Sequence, residues 1–317
     1  MKIWKKIIVS SLRITLSAGL LWFALSRIDF YGKTGFFTII KRINLPWFIP
    51  FFTLLGFVIL VVAWRWRGLL AAQEIRLSYG QVFRLTYLGH FFNLFMLGTL
   101  GGDLIKAVFL TASLKKNNQP DLKTKAIISI VFDRFTGMVS LGILSLGGII
   151  ASYHEQKLIW FRIMIIGFWV ILFAVYLSYR LMKKLTVKLH LPFPDFFNEL
   201  SEAINTYHDK KKVILKAVGL SLIIQLGVIV INIAFARSIG IEGVPWYYYF
   251  IFVPLVSFLT ALPISVGGWG VGEVSYGYFF ALIGVDPTYA ITLSILFRLS
   301  FTLWNLPGGL FLLFSKK

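Results

Sequence analysis

Residues 46–64 read Pro-Trp-Phe-Ile-Pro-Phe-Phe-Thr-Leu-Leu-Gly-Phe-Val-Ile-Leu-Val-Val-Ala-Trp, an apolar run without a charged residue. A helix of about 20 apolar residues crosses a hydrocarbon core about 30 Å thick. Five further apolar runs, each with at least one charged residue, lie at 7–26, 125–152, 158–180, 213–237 and 289–313. The sequence therefore predicts an all-α integral membrane protein with about six full transmembrane helices.

The composition agrees with a membrane protein built as one domain. Hydrophobic residues make up 58% of the 317 residues and charged residues 14%, whereas soluble domains average roughly 45–50% and about 25%. The main polar segment, 181–212, is too small for an independent enzyme domain. We therefore expect a single polytopic membrane domain over 1–317. In it, 181–212 is a cytoplasmic linker whose 194–208 portion forms an amphipathic helix on the membrane surface.

The basic residues lie mainly in the short connections between apolar runs. The net charge is +19, and with the N-terminus inside, 21 of the 32 Lys and Arg residues fall on cytoplasmic ends and loops and seven on the outer side. This bias predicts a multi-pass protein of the cell inner (plasma) membrane with cytoplasmic N- and C-termini. The charge favours contact with anionic lipid head groups and argues against nucleic acid as a partner.

Two more apolar stretches, 81–113 and 246–284, are interrupted by glycines near the middle. Each half is about 14–18 residues long, which is short for a span, so we expect two re-entrant helical hairpins and eight or more hydrophobic segments in all. The breaks read Gly98-Thr-Leu-Gly-Gly-Asp-Leu-Ile-Lys106 and Pro263-Ile-Ser-Val-Gly-Gly-Trp-Gly-Val-Gly-Glu273. Because one hairpin opens to each side in this topology, the pattern suggests an inverted repeat, which in transporters surrounds a midplane site.

Seven ionisable residues fall inside apolar stretches, where a charge costs roughly 2.5–3.5 kcal/mol on insertion scales and points to function. Arg298 is the clearest case. It either faces an internal cavity and holds a lipid phosphate, or pairs with Asp133 or Glu273. We expect Arg13 to reach the cytoplasmic surface, because it lies near the start of its span. The seven are Arg13, Asp103, Lys106, Asp133, Arg134, Glu273 and Arg298.

The acids and arginines near the glycine breaks each have two interpretations. Asp133 and Arg134 point about 100° apart on one helix, so they face different partners. They serve as interhelical struts or, for Arg134 in particular, as ligands of a head group. Asp103 and Glu273 either cap the N–H groups at the start of the next half-helix or carry a proton or cation.

The glycine pairs are expected to end a half-helix and to let backbone amides approach an anion. Lys106 lies one turn beyond Asp103, where it either pairs with that acid or supplies positive charge to a head group. Arg65 and Arg67 end a span among tryptophans, which is typical of an anchor at the membrane interface, with contact to a lipid phosphate as the alternative. The paired glycines are Gly101, Gly102, Gly267 and Gly268.

Several kinds of chemistry lack a sequence basis. The chain has no cysteine, which excludes disulfides, thiol catalysis and cysteine metal sites. The glycines of 267–272 do not form a dinucleotide motif, and the four histidines have no metal-ligand spacing. No Ser-His-Asp arrangement is evident. We therefore expect no catalytic residue, metal or cofactor.

At the charged segments the sequence resembles the lysylphosphatidylglycerol synthase transmembrane-region family. Its best-known member domain is the flippase half of the bacterial multiple peptide resistance factor. The likeness runs from the first span to Gly309. The matching motifs, in chain order, are Gly98–Lys106, Asp133-Arg134, Pro263–Glu273, and the Arg298 helix that ends in Asn305-Leu-Pro-Gly.

The resemblance implies a membrane domain that moves phospholipids or polyprenyl-linked lipids between leaflets. Fused relatives carry a soluble C-terminal domain that makes the aminoacyl lipid. Because this sequence stops at Lys317, we expect that half to be absent. Family members often have an arginine just before the glutamate, where this chain has Gly272. Phosphate binding would then depend more on Arg134 and Arg298.

Three functions compete at this level. The leading hypothesis is a flippase or lipid transporter that binds an anionic phospholipid or a polyprenyl-phosphate-linked lipid at the bilayer midplane. The alternative is a transferase or accessory component of lipid aminoacylation or glycosyl-lipid synthesis, although no pair of loop acids is clustered for it. The third is a partner that docks a separate lipid-modifying enzyme through 181–212. A homodimer is also left open.

Overall fold

The computed structural model describes residues 2–96, 100–114, 121–186 and 204–313, which are helical apart from short connections. The helices are α1 Lys2–Leu25, α2 Phe36–Lys41, α3 Leu45–Ala72, α4 Tyr79–Phe95, α5 Leu100–Leu114, α6 Asp121–Ala151, α7 Ile159–Thr186, α8 Lys211–Ser238, α9 Trp246–Ala261, α10 Val271–Ala281, α11 Pro287–Asn305 and α12 Leu310–Leu313. Short 3-10 helices cover Gln156–Leu158 and Leu306–Gly309, and residues 204–209 form a further helical segment.

Five helical segments in the described residues are long and apolar enough to cross a membrane: Leu45–Ala72, Lys123–Ala151, Gln156–Ser178, Lys211–Ser238 and Pro287–Leu312. Together with α1, which has 24 residues, they match the six runs that the sequence predicts. The all-α, multi-pass membrane architecture is confirmed. Helix α3 is longer than its charge-free run, because Leu69, Leu70 and Ala72 continue the buried face beyond Trp64.

Helices α3 and α8 pack antiparallel at the centre of the molecule. At one end the Asn44 N–H donates to the Ser238 carbonyl at 2.8 Å. At the other end the Lys210 ammonium donates to the Ala72 carbonyl at 2.6 Å. These two contacts mark the opposite ends of the bundle, which we call the Ser238 end and the Ala72 end.

The buried apolar side chains form two main cores, one toward each end of α3 and α8. Core A lies toward the Ala72 end and includes the base of the α4–α5 hairpin. Core B lies toward the Ser238 end and includes the α9–α10 hairpin. Members of core A are Trp66, Leu70, Val82, Leu110 and Ala126; members of core B are Leu55, Ile231, Phe252, Phe280 and Leu293.

The two hairpins therefore extend into the bundle from opposite ends. Their helices have 17 and 15 residues in the first hairpin and 16 and 11 in the second. At 1.5 Å per residue, each is shorter than a hydrocarbon core of about 30 Å. The hairpin tips meet, since the Gly267 N–H donates to the Met96 carbonyl at 3.3 Å. This is the geometry of inverted repeats that the sequence suggested.

The two glycine pairs occupy different positions relative to their helices. This corrects the expectation that both pairs end a half-helix. Gly267 and Gly268 lie in the turn between α9 and α10 with φ of 55° and 79°, which glycine adopts without strain. Gly101 and Gly102 instead lie in the first turn of α5, after the break. Gly102 is needed for packing, because a Cβ there would sit 1.9 Å from the Gly89 carbonyl oxygen of α4.

The expected surface helix at 194–208 is only partly tested, because 194–203 lies outside the described residues. The 204–209 part packs against α3 and α6, and its position at the membrane surface stays a prediction. The Tyr207 ring lies 4.2 Å from that of Phe132, and its hydroxyl donates to the Leu69 carbonyl at 3.0 Å. Tyr207 is buried because these two helices bracket it.

We predict that Gly102→Ala destabilises the protein by roughly 1–3 kcal/mol, because the added methyl forces α4 and α5 apart. The measurement is the midpoint of thermal unfolding in detergent. Gly219→Ala in α8 is the matched control, since nothing lies within 4 Å of a Cβ at that position. Equal midpoints for the two variants would contradict the close approach of α4 and α5.

Candidate functional site

A charged pair joins the first hairpin to the span that follows it. Arg134 of α6 donates to both carboxylate oxygens of Asp103 in α5, with Nε to Oδ2 at 2.6 Å and Nη2 to Oδ1 at 2.9 Å. The Lys106 ammonium lies 3.6 Å from Asp103 Oδ1 and 5.1 Å from the ring centroid of Trp66. Two cations therefore converge on one carboxylate, and Lys106 does pair with Asp103.

A second pair joins the second hairpin to its following span. Arg298 Nε of α11 donates to Glu273 Oε1 at 2.7 Å, and its Nη1 donates to the Gly267 carbonyl at 2.7 Å. The guanidinium carbon lies 5.0 Å from the Trp269 ring centroid. The other carboxylate oxygen, Oε2, accepts from the Gly270 N–H at 2.7 Å. Glu273 thus both caps α10 and pairs with Arg298.

The two pairs occupy equivalent positions in the two halves of the chain. In each, the acid lies near the start of the second half-helix and the arginine lies on the next span. The separations along the chain are 31 residues for the first pair and 25 for the second. This correspondence supports the internal repeat independently of the glycine motifs.

A third pair, between α3 and α6, was missed from the sequence. Arg65 Nε donates to Asp133 Oδ1 at 2.8 Å, and Arg65 Nη1 donates to the Ser221 hydroxyl of α8 at 2.7 Å. The expectation that Arg65 anchors the membrane interface was wrong, since its side chain is only 7% exposed. The signal was present in Leu69 and Leu70, which carry the apolar face of α3 past Arg65.

Exposure distinguishes the arginines of the three pairs. The Arg134 side chain is 35% exposed, against 14% for Arg298 and 7% for Arg65. Their partners are almost completely buried, with Asp103 at 9% and Glu273 at 0%. Asp133 is an interhelical strut in this arrangement, and Arg134 is the most exposed of the three arginines.

Two of the four backbone amides expected to receive an anion have protein partners. The Gly102 N–H donates to the Asn93 side-chain oxygen at 2.7 Å, and the Gly267 N–H bonds to the Met96 carbonyl of the first hairpin. Asn93 was not singled out from the sequence, and no local signal marks it.

Gly272 has a specific steric role beside the second pair. A Cβ at this position would lie 2.1 Å from Arg298 Nη2. The guanidinium of Arg298 thus occupies the space beside Gly272.

Further charged groups lie away from the pairs. Arg13 is partly buried in α1, while the nearby Ser17 hydroxyl accepts from the Val266 N–H at 2.9 Å and ties α1 to the second hairpin. At the Ser238 end, a cavity of about 290 Å³ is lined by Lys33, Arg42 and Arg237 together with Glu242. Among the described residues, no group of three or more His, Asp or Glu could hold a metal ion.

We predict that Arg65→Met destabilises the protein by roughly 3–5 kcal/mol, because it leaves Asp133 buried without its counter-ion. The double variant Arg65→Met with Asp133→Leu should recover most of the loss. Thermal unfolding in detergent measures both. Arg67→Met is the control; Arg67 is exposed, so its change should stay within about 0.5 kcal/mol. An Arg65 variant as stable as the control would remove the structural role of the pair.

Comparison with known proteins supports the same architecture. Residues 10–306 match the family described as "Lysylphosphatidylglycerol synthase TM region". The UPF0104 membrane protein PH1989 of Pyrococcus horikoshii is 23% identical over 345 aligned positions, which cover 99% of this chain and 98% of that protein. Because the family match spans both hairpins and all three charged pairs, the chain belongs to the lysylphosphatidylglycerol synthase transmembrane-region family.

Proposed function

We propose that this protein moves a lipid with a phosphate-bearing, anionic head group between the leaflets of the cell membrane. In this proposal Arg134 makes the first contact with the phosphate. The observation that carries it is the partial exposure of Arg134, at 35%, within an otherwise buried charged cluster. Its two hydrogen bonds to the Asp103 carboxylate support the proposal, because a guanidinium binds a phosphate through two oxygens in the same way.

Exchange of one anion for another gives a physical route for binding and release. An unpaired arginine in hydrocarbon is costly, so Arg134 is expected to keep an oxyanion partner throughout the cycle. Asp103 is the partner when no lipid is bound, and a lipid phosphate offers the same pair of acceptor oxygens. The carboxylate then has Lys106 as its remaining cation, at 3.6 Å.

The charge balance of the first cluster favours an anionic ligand. Three cations, Arg65, Lys106 and Arg134, share the two carboxylates Asp103 and Asp133. Among the described residues of this cluster the cations thus outnumber the carboxylates, and a phosphate would be attracted to them inside a low-dielectric region. An uncharged head group would not.

The second pair offers an equivalent contact on the other half of the molecule. Arg298 is less exposed than Arg134 and also donates to the Gly267 carbonyl. The N–H of the same glycine donates to the Met96 carbonyl at the tip of the first hairpin. Because the two hairpins extend from opposite ends, a head group handed from Arg134 to Arg298 advances across the midplane. Membership of a lipid-synthase transmembrane family is consistent with such a substrate. The proposal also places both termini in the cytoplasm and includes a separate lipid-modifying enzyme as a possible partner.

Transport in reconstituted vesicles tests the function. Wild-type protein should accelerate the movement of a fluorescent anionic phospholipid between leaflets, measured by dithionite quenching. Arg134→Gln and Arg298→Gln should each slow it by roughly 10–100-fold, the equivalent of a lost charge-assisted hydrogen bond of about 1.5–3 kcal/mol.

Two controls make this result decisive. Lys216→Gln also removes one positive charge, but from an exposed side chain that lies over Trp64, and it should retain the wild-type rate. Protein-free vesicles set the baseline; a wild-type rate at that baseline would overturn the proposed function. Wild-type and Arg298→Gln proteins with equal rates above it would remove Arg298 from the pathway.

A further inference from the structure

Helices α4 and α11 meet along a seam that carries polar atoms without hydrogen-bond partners. The seam is held by the Tyr87 hydroxyl, which donates to the Trp304 carbonyl, and by the rings of His90 and Phe301, whose centroids are 6.0 Å apart. Residues four apart on a helix share a face. Thr86 therefore lies on the same side of α4 as His90, and Asn305 on the same side of α11 as Phe301.

Three side-chain atoms on these faces are buried and unpartnered among the described residues: Thr86 Oγ1, His90 Nδ1 and Asn305 Oδ1. Thr86 and Asn305 are both 0% exposed. Buried polar groups in folded proteins nearly always have a protein or water partner. Three such atoms on one seam are therefore evidence for a shared partner rather than for three separate defects.

Thr86 is unusual among the buried hydroxyls of this protein. The hydroxyls of Ser140, Ser145, Thr292 and Ser300 each donate to the carbonyl four residues earlier, at 2.6–2.8 Å. Thr86 does not make this bond. The common local solution for a helical hydroxyl is thus absent at Thr86.

Asn305 shows the same pattern on the other side of the seam. Its amide nitrogen donates to the Phe301 carbonyl at 2.6 Å, which leaves only the oxygen without a partner. An unpaired acceptor, a hydroxyl and an imidazole nitrogen are together the set that water satisfies, because water both donates and accepts.

The seam leads to the charged cluster. The Lys106 stem packs against Gly89, the neighbour of His90 in α4, and the Lys106 ammonium lies 3.6 Å from Asp103 Oδ1. From His90, the stripe runs through Thr86 toward the start of α4. At that end the Arg84 guanidinium donates to the Phe311 carbonyl at 3.0 Å.

We propose that the α4–α11 seam is a water-accessible passage that links the Asp103–Arg134 pair to the end of the molecule at which α4 begins. Water hydrates Thr86, His90 and Asn305 when the seam opens. The passage would exist whether or not the protein moves lipids, so its test is independent of transport.

The absence of cysteine from the chain makes the test direct. Thr86→Cys and Asn305→Cys are made singly and treated with a positively charged, membrane-impermeant thiosulfonate in inside-out and right-side-out vesicles. A hydrated thiolate attacks the sulfenyl sulfur of this reagent, which forms a mixed disulfide and releases the sulfinate. Leu88→Cys in α4 and Leu293→Cys in α11 are matched controls, because both leucines are at most 1% exposed.

Both seam cysteines should react at least roughly tenfold faster than the controls. They should react when the reagent is added on the side of the membrane at which α4 begins. Rates equal to those of Leu88→Cys and Leu293→Cys would overturn the passage, as would reaction only from the opposite side. Labelling after denaturation and a monodisperse elution peak establish that each variant is folded and its thiol free.

A filling variant gives a second measurement. With His90→Cys as the reporter, the added pair Thr86→Val and Asn305→Leu makes the seam apolar and should slow labelling by roughly tenfold. Unchanged labelling of His90→Cys would contradict water access along this route. The reporter also replaces Thr86→Cys or Asn305→Cys if either fails to fold.

Discussion

The structure depends on the pairing of carboxylates with arginines inside its apolar, membrane-spanning region. Each carboxylate within the predicted membrane segments, Asp103, Asp133 and Glu273, bonds to an arginine on a different helix. An ionised group without a partner is costly in this environment, so these contacts constrain where the helices lie. The hairpins can reach only as far as their acids meet the arginines of the next spans. These ion pairs hold the hairpin tips together in the middle of the bundle.

The three pairs differ in what they can do. The Arg65–Asp133 pair is shielded on both sides and is tied to a third helix through Ser221, so it stabilises the α3–α6–α8 packing. The pairs of Arg134 and Arg298 lie beside the hairpins, where a helix interruption leaves the backbone close to charged side chains. In the proposed function, the first pair stays closed and the other two exchange partners.

Much of this arrangement was predictable from local patterns. Apolar run lengths indicated the spans, glycine interruptions indicated two hairpins, and acids next to the breaks indicated where charge would be needed. The motif order was sufficient to indicate the family. The errors have a common physical cause. Arg65 and Gly102 were interpreted from their neighbours in sequence, whereas their roles depend on α6 and α4, which are distant or folded back in the chain.

The sequence by itself determined the membrane class, the helical segments and the residues that could not remain unpaired in lipid, because these follow from hydrophobic length and the cost of buried charge. Only the tertiary structure decided which acid meets which arginine and which cation remains accessible. Partner choice depends on distances between helices far apart in the chain. Arg298 could have paired with Asp133 or Glu273 on sequence grounds, and the packing of α10 against α11 selected Glu273.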